Sequence, residues 1–472
     1  MTQRRRDVSD QPDALFAPAS LWQAWLDVEV ALAQAQAELG IIPDWAAEGI
    51  AQVADVETLG LDRLEAEAAR TMAPIHALTR VVSDRAGAAG AYVHWGATTQ
   101  NVMQTGRLLL MQRALQHVRT HLAEALDHLG AMAERHAETP MIARTNRRHA
   151  LPVTFGFKLA GWIEELSRAA DRLDAMEART MRLPFGGAVG AMHAFGGQGQ
   201  EINACMAARL GLGVMLVPGR AVNDLFADYI AAMGLLAMSI ERIARECYRL
   251  MAEELGELSE TLGHSVVGSS TMPHKVNPKL VVHVIAMAGD LRASVAPGME
   301  ATLTANEGDS AANHLMVRTL DRAVPLAWRL ARAFADLTAK IVPAPERMAA
   351  NLALSGAQTA SERLMMLMAP ALGHLQAHDL LHDMLAEPGA DADSIAARVA
   401  ALPAMEGRIS AAEAQAALDA TTYVGESARI AREGAALAAA LARQLREGDA
   451  AARAPQTYST SRSRAQSGSV AR

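Results

Sequence analysis

From Phe226 onward, apolar residues recur at Phe226, Tyr229, Met233, Leu236, Ile240, Ile243, Cys247 and Leu250, in steps of three and four without a miss. This heptad seam constrains the fold more than any other stretch, because a long helix buries such a line only when packed lengthwise against other long helices. Ile230, Ala237, Ala244 and Met251 form a second line beside it, so the apolar face is wider than a two-stranded coil requires. Two further segments obey the same rule. One runs Leu108, Met111, Leu115, Val118, Leu122, Ala125, Leu129, Met132, and the other Leu159, Ile163, Leu166, Ala170, Leu173. Helices of about 20 to 35 residues span roughly 30 to 50 Å and are well above the usual globular length. The expectation is an all-α protein built on a long, parallel-sided bundle. Apolar stripes left uncovered by one chain are expected to be buried between subunits.

Composition agrees with a helical chain. Of 472 residues, 51% are hydrophobic but only 4% aromatic, and Ala, Leu and Met lose little on entering a helix. The flanks differ from the centre. Residues 1–107 alternate short helical patterns with Gly-rich turns such as "DRAGAAGAYVHWGATT", and residues 350–447 give shorter helices broken at "SGAQ", "LAEPGADADS" and "ALPAMEG". These shifts suggest an N-terminal domain over 1–107, a long-helix domain over 108–349 and a C-terminal helical domain over 350–447. Residues 448–472, rich in Ser, Arg and Ala without apolar periodicity, read as a disordered tail.

Several function classes fall away. A net charge of −8 argues against a general nucleic-acid binder. Two cysteines, Cys205 and Cys247, make neither a disulfide framework nor a redox pair. The N-terminus "MTQRRRDVSDQPDALF" has no apolar run behind its basic residues, and no apolar stretch of about 18 residues stands out. A cytoplasmic protein without a membrane partner is expected. No dinucleotide or phosphate-binding Gly-rich loop occurs in context, and no cofactor is expected. His374, His378 and His382 fall four apart, as do His117 and His121, but no carboxylate-and-water set accompanies them. They read as ordinary helix histidines, with no metal site.

Two stretches carry chemistry. Residues 268–278, "GSSTMPHKVNP", are too polar for a core strand and too interrupted for a helix interior. Pro278 suits the first turn of a helix and Asn277 its N-cap, which sets Lys275 ahead of a positive helix end. A Ser hydroxyl in that field can remove a proton from carbon beside a carboxylate. The resulting carbanion needs fixed donors, a task suited to Lys275, Asn277 and loop amides. A Gly-Ser-Ser start lets such a loop open and close. On residue types alone, a flexible polar connector is an equal reading. In "HWGATTQN", Thr98, Thr99, Gln100 and Asn101 offer hydroxyls, amides and N–H groups ahead of the Leu108 helix, which suits anion capture. Plain N-capping accounts for the same residues. "FGGAVG" and "AFGGQGQEI" follow a helix and read as turns lining a site.

The unbroken string at 268–278 resembles the signature of the fumarase/aspartase superfamily. The likeness runs over about residues 14–430 and includes "WLDVEVALAQAQAELGIIP", "HWGATTQNVMQTG", "ARTNRRHALPVTFGFKLAGW", "GGAVG" and "LDATTYVGE". It points to the branch holding adenylosuccinate lyases and 3-carboxy-cis,cis-muconate cycloisomerases. The resemblance implies a three-domain fold, a homotetramer around a twenty-helix core, and sites assembled from three subunits without a cofactor. It implies that Ser269 is the general base and that Lys275 and Asn277 hold the carboxylate that becomes an aci-carboxylate, with Ser270 and Met272 alongside. It also implies that His94 and Thr98 to Asn101 grip a second carboxylate, and that Arg144, Asn146 and Arg148 face the substrate.

The departures from the family pattern are informative. Where its purine and argininosuccinate lyases read Thr-His-Gly-Gln, this chain has Thr145, Asn146, Arg147 and Arg148, and the proton-donating His is missing. His149, three residues on, is the catalytic candidate in its place. The usual Arg-Asp is Asn223 and Asp224, the usual His-Glu-Arg is Asn306, Glu307 and Gly308, and the Arg-Tyr pair for a nucleotide phosphate has no counterpart around "FAPASLWQ". Losing an acid matters least when the leaving group needs no proton, as with nitrite or an already protonated amine. Arg147 and Arg148 would stabilise such an anion through charge-assisted bonds, or else form a solvated pair. Gly308 removes bulk as well as charge. The reading is a lyase that eliminates a nitrogen substituent from a small dicarboxylate, an N-substituted aspartate or nitrosuccinate, releasing fumarate. A lactonising muconate cycloisomerase, an adenylosuccinate-type lyase and a crystallin-like structural protein are the alternatives.

Overall fold

The computed structural model describes residues 11–221, 223–263, 271–272 and 274–452. Helix α1 (Pro18–Glu38) leads into four short helices, α2 (Asp44–Val53), α3 (Val56–Leu59), α4 (Leu61–Thr71) and α5 (Pro74–Ala86). The long elements follow. These are α6 (Thr99–Arg135), the strands β1 (Pro140–Thr145) and β2 (Arg148–Thr154), and α7 (Phe155–Thr180). Then come β3 (Arg182–Leu183), α8 (Gly199–Leu210), β4 (Gly213–Val214) and α9 (Asp224–Leu250). Strand β5 (Leu258–Glu260) precedes α10 (Leu280–Ala293), α11 (Val295–Glu300), α12 (Ser310–Lys340) and β6 (Ile341–Pro343). The described residues close with α13 (Pro345–Ala353), α14 (Ser361–Leu372), α15 (His374–Ala386), α16 (Ala392–Ala400), α17 (Ala411–Ala417) and α18 (Ser427–Ala452).

The periodic stripes become the core. All eight seam residues from Phe226 to Leu250 are buried, as are Leu108 through Leu129 of the α6 series and the five of α7. Helices α6, α7, α9, α10 and α12 pack together, and α18 returns to lie along α6 and α7. Its approach is so close that a Cβ at Gly434 would meet the Ala160 Cβ at 2.5 Å. A separate, smaller core of Leu364, Met368, Leu381, Ile395, Val399 and Met405 gathers under α14 to α17. The three strand pairs are small: β1 and β2 antiparallel, β3 and β4 parallel, β5 and β6 antiparallel.

Helix α6 starts nine residues ahead of Leu108 and runs unbroken across residues 107 and 108, so a boundary there falls inside a helix. Polar residues in its first turns hide the start from a pattern of apolar spacing. Likewise α18 extends to Ala452, into the stretch read as tail. By length and composition alone, Leu280–Glu300 is apolar enough to cross a membrane. His283, Asp290 and Arg292 interrupt the run, which is why no unbroken stretch marks it. The chain turns at Ser294 between α10 and α11, and α10 packs along α9 and α12.

Candidate functional site

At the N-terminus of α6, Thr98 is the extended N-cap residue and its side chain makes no capping hydrogen bond. The residues after it are engaged. Arg220 Nε donates to Gln100 Oε1 at 2.9 Å, and Gln100 Nε2 donates back to the Arg220 carbonyl at 3.3 Å. One turn on, Gln104 Nε2 donates to Asn223 Oδ1 at 3.3 Å, and Asn223 Nδ2 reaches the Ala301 carbonyl and Asn313 Oδ1. Asn101 is buried, accepts from Gly187 N at 2.9 Å and donates to the Pro184 carbonyl at 3.0 Å. Its amide therefore pins the Gly-rich 184–187 turn rather than reaching a ligand, and Gln100 pins the Arg220 loop. Thr98 and Thr99 stand at the open start of the helix, ahead of these engaged residues. The turn itself follows the two-residue strand β3, not a helix directly.

His94 precedes this cluster in a left-handed conformation, φ 61°. Its Nδ1 lies 2.6 Å from Oε1 of the buried Glu29 on α1. Burial alone would lower the imidazole pKa, but the hydrogen bond and charge of Glu29 outweigh it and hold His94 above the ordinary histidine range. Gln36, about two turns further along α1, donates to the Trp95 carbonyl at 2.8 Å and fixes the same loop.

The β1–β2 hairpin carries the second group. Asn146 and Arg147 have φ of 48° and 65°, the pair of positive values that a two-residue type I′ loop requires. Asn146, Arg147 and Arg148 are exposed at its tip. Lower down, Arg144 forms a two-pronged pair with the fully buried Glu257, Nη2–Oε1 2.6 Å and Nη1–Oε2 2.9 Å. Asn351 Nδ2 adds a third bond to Glu257 at 2.8 Å. Arg144, expected at the substrate, is paired with Glu257 and ties the hairpin to the β5 region. His149 sits opposite Arg144 in the hairpin register, with Nδ1 2.7 Å from Ser355 Oγ. Burial first, then the Arg144 and Arg148 guanidiniums, pull its pKa below the ordinary range against the opposing pull of Glu257.

Ser269 and Ser270 lie outside the described residues. Met272, Lys275 and Asn277 are exposed, and Lys275 N donates to the Met272 carbonyl at 2.9 Å. The expected cap is displaced: α10 begins at Leu280 with Lys279 as N-cap residue, two positions beyond Asn277 and Pro278. The reason is a remote acceptor. Glu260 at the end of β5 takes the amides of Lys279, Leu280 and Val281 at 2.8, 3.1 and 2.8 Å. Among the described residues, no hydrogen bond or ion pair joins Lys275 or Asn277 to the α6 cluster or to the hairpin tip. His374, His378 and His382 are exposed on α15, while His117 stacks on Trp328 at 3.8 Å. Among the described residues no group of three potential ligands is placed to hold a metal ion.

Sequence reasoning missed Glu29, Arg220, Glu257 and Glu260. Only Glu29 left a signal, as a carboxylate inside the apolar run "WLDVEVALA". The others act across gaps of 19 to 120 residues that no local pattern records.

A family model described as lyase matches residues 4–291. A nitrosuccinate lyase of Streptomyces davaonensis is 32% identical over 88% of this chain and 90% of its own. A 3-carboxy-cis,cis-muconate cycloisomerase of Pseudomonas aeruginosa is 33% identical over 88% of this chain and 91% of its own. The crystal structure of a fumarate lyase from Mesorhizobium sp. BNC1 superposes with a TM-score of 0.82 at 28% identity, covering 92% of this chain and all of that one. The chain belongs to this lyase family, within the fumarase/aspartase superfamily. It is an enzyme, and the alternative of a structural protein is set aside.

Proposed function

We propose that the chain eliminates a nitrogen-linked substituent from C2 of a 2-substituted succinate and releases fumarate. Ser269 takes the C3 proton, and Lys275 and Asn277 hold the neighbouring carboxylate as it becomes an aci-carboxylate. The electron pair then returns to form the C2–C3 double bond and expels the substituent from C2. Thr98 and Thr99, with His94 behind them, hold the other carboxylate. The observation that carries the choice of leaving group is the hairpin tip. Arg147 and Arg148 have no carboxylate partner among the described residues, while the nearby His149 is tied to Ser355 and kept neutral. Guanidiniums that cannot give up a proton suit a departing anion such as nitrite, or a substituent that leaves already protonated.

Three segments that lie far apart in the sequence suit a site completed by other copies. Exposed Leu235, Met238 and Tyr248 on α9 and Val282 on α10 offer apolar surface for them, in keeping with a cytoplasmic homotetramer that needs no cofactor. A panel of N-, O-, S- and nitro-substituted succinates, followed by fumarate ultraviolet absorbance, tests the reading. Fumarate from a nitrogen-linked member supports it. The second reading is lactonisation, favoured by the 33% likeness to a muconate cycloisomerase. Lactone from carboxymuconate with no fumarate from the panel would select it.

A further inference from the structure

We propose that Arg220 binds one carboxylate of the substrate, from a seat that exists because residue 308 is glycine. The inference rests on the dicarboxylate reading above and adds a ligand to that site. A Cβ at Gly308 would lie 3.2 Å from both Cζ and Nη2 of Arg220, so the guanidinium fills the space that a side chain would take. Two bonds fix its plane: Nε to Gln100 Oε1 at 2.9 Å, and Nη1 to the Ala188 carbonyl at 3.0 Å. Both partners are neutral.

The charge is not neutralised locally. No carboxylate pairs with Arg220 among the described residues, whereas Arg107 faces Asp321 and Arg144 faces Glu257. Asp309, beside Gly308, turns its carboxylate to the amides of Ala305, Ala311 and Ala312 as the cap of α12. The cation is therefore held at the start of α6, next to Thr98 and Thr99, where the helix end also favours an anion. With Asn101 and Gln100 engaged, Arg220 still has the N–H donors of Nη2 to offer. A planar guanidinium fits a carboxylate with two parallel bonds.

Fumarate is the probe, with binding read by calorimetry and folding by circular dichroism. Wild type is expected to bind fumarate more tightly than its monoamide. R220Q is expected to weaken fumarate binding by about tenfold or more and to lose that preference, while R220K retains part of both. G308A pushes the flexible guanidinium end by a few tenths of an ångström and is expected to weaken fumarate severalfold. It serves if R220Q fails to fold. Unchanged fumarate affinity and preference in folded R220Q, or unchanged affinity in G308A, overturns the assignment and leaves the lyase reading intact. A wild type that binds no dicarboxylate removes both.

Discussion

The carboxylate of Glu260 accepts the backbone N–H of Val281 at 2.8 Å and, with it, those of Lys279 and Leu280. Helix α10 has no capping side chain of its own, and the first amides of a helix need acceptors. One residue at the end of β5 thus fixes the amides that directly follow the segment with Lys275 and Asn277. We expect E260A to lower stability by about 1–2 kcal/mol in urea unfolding, with E260Q between it and wild type. Loss of kcat/KM should exceed what the unfolded fraction accounts for, because the segment loses its anchor while the bundle persists.

Arg144 and Glu257 make a buried pair with side chains 7% and 0% exposed. Removing one partner leaves a charge without compensation, which costs about 3–5 kcal/mol. R144M is expected to fall in that range by chemical denaturation. Any protein that remains folded should keep its fumarate affinity, because the guanidinium faces Glu257 and not a ligand. A variant of wild-type stability that no longer bound fumarate would return Arg144 to the site.

These two clusters mark where local sequence reasoning works and where it stops. The stripes from Leu108, Leu159 and Phe226 are legible because a helix repeats its burial every three or four residues, and each resulting face is dry. The breaks at "SGAQ", "LAEPGADADS" and "ALPAMEG" coincide with helix ends because Gly and Pro act on their own backbone. Asn277 and Pro278 form a plausible local cap, yet a carboxylate 19 to 21 residues upstream decides the helix start. In the same way the chemistry of Gln100, Asn101 and Arg144 is legible in the sequence, but their partners Arg220, Gly187 and Glu257, far along the chain, are not. Residue type states what a side chain can bind, and the fold decides what it meets.

His94 gives the fold a pH dependence. Burial opposes its protonation, but the Glu29 bond prevails, so its pKa is higher folded than unfolded. The stabilisation is complete below the unfolded value, about 6.5, and is lost as pH rises through the higher folded value. The melting temperature of wild type should therefore decline as pH rises above about 6.5, relative to E29Q, in which the bond loses its charge. Parallel melting curves across that window would contradict the assignment.

His149 is expected to matter for position, not for proton delivery. Its pKa is already lowered by burial and by Arg144 and Arg148, so no acid limb above the usual histidine range should arise from it. H149N retains a hydrogen-bonding group near Ser355 and should reduce kcat by less than the 10² to 10⁴-fold typical of a lost general acid, roughly tenfold at most. The pH profile should keep its shape. Disappearance of one limb in H149N would make His149 the acid.

Arg147 separates stability from activity. Its φ of 65° holds a side-chain-bearing residue in the left-handed region, at a cost of roughly 1–2 kcal/mol that glycine avoids. The Asn-Gly pair is also the favoured type I′ sequence. R147G should therefore raise stability by up to about 1 kcal/mol, the unfolded chain's added freedom offsetting the rest. The same substitution removes a guanidinium from the hairpin tip, where the proposed leaving group departs. With a nitro-substituted succinate, kcat should fall by about tenfold or more, while fumarate affinity, held by the two carboxylate sites, stays within twofold or so. A hairpin made firmer and an enzyme made slower by one change would show that the strain at Arg147 is kept for the charge it presents. Full activity in R147G would leave Arg148 alone in that role.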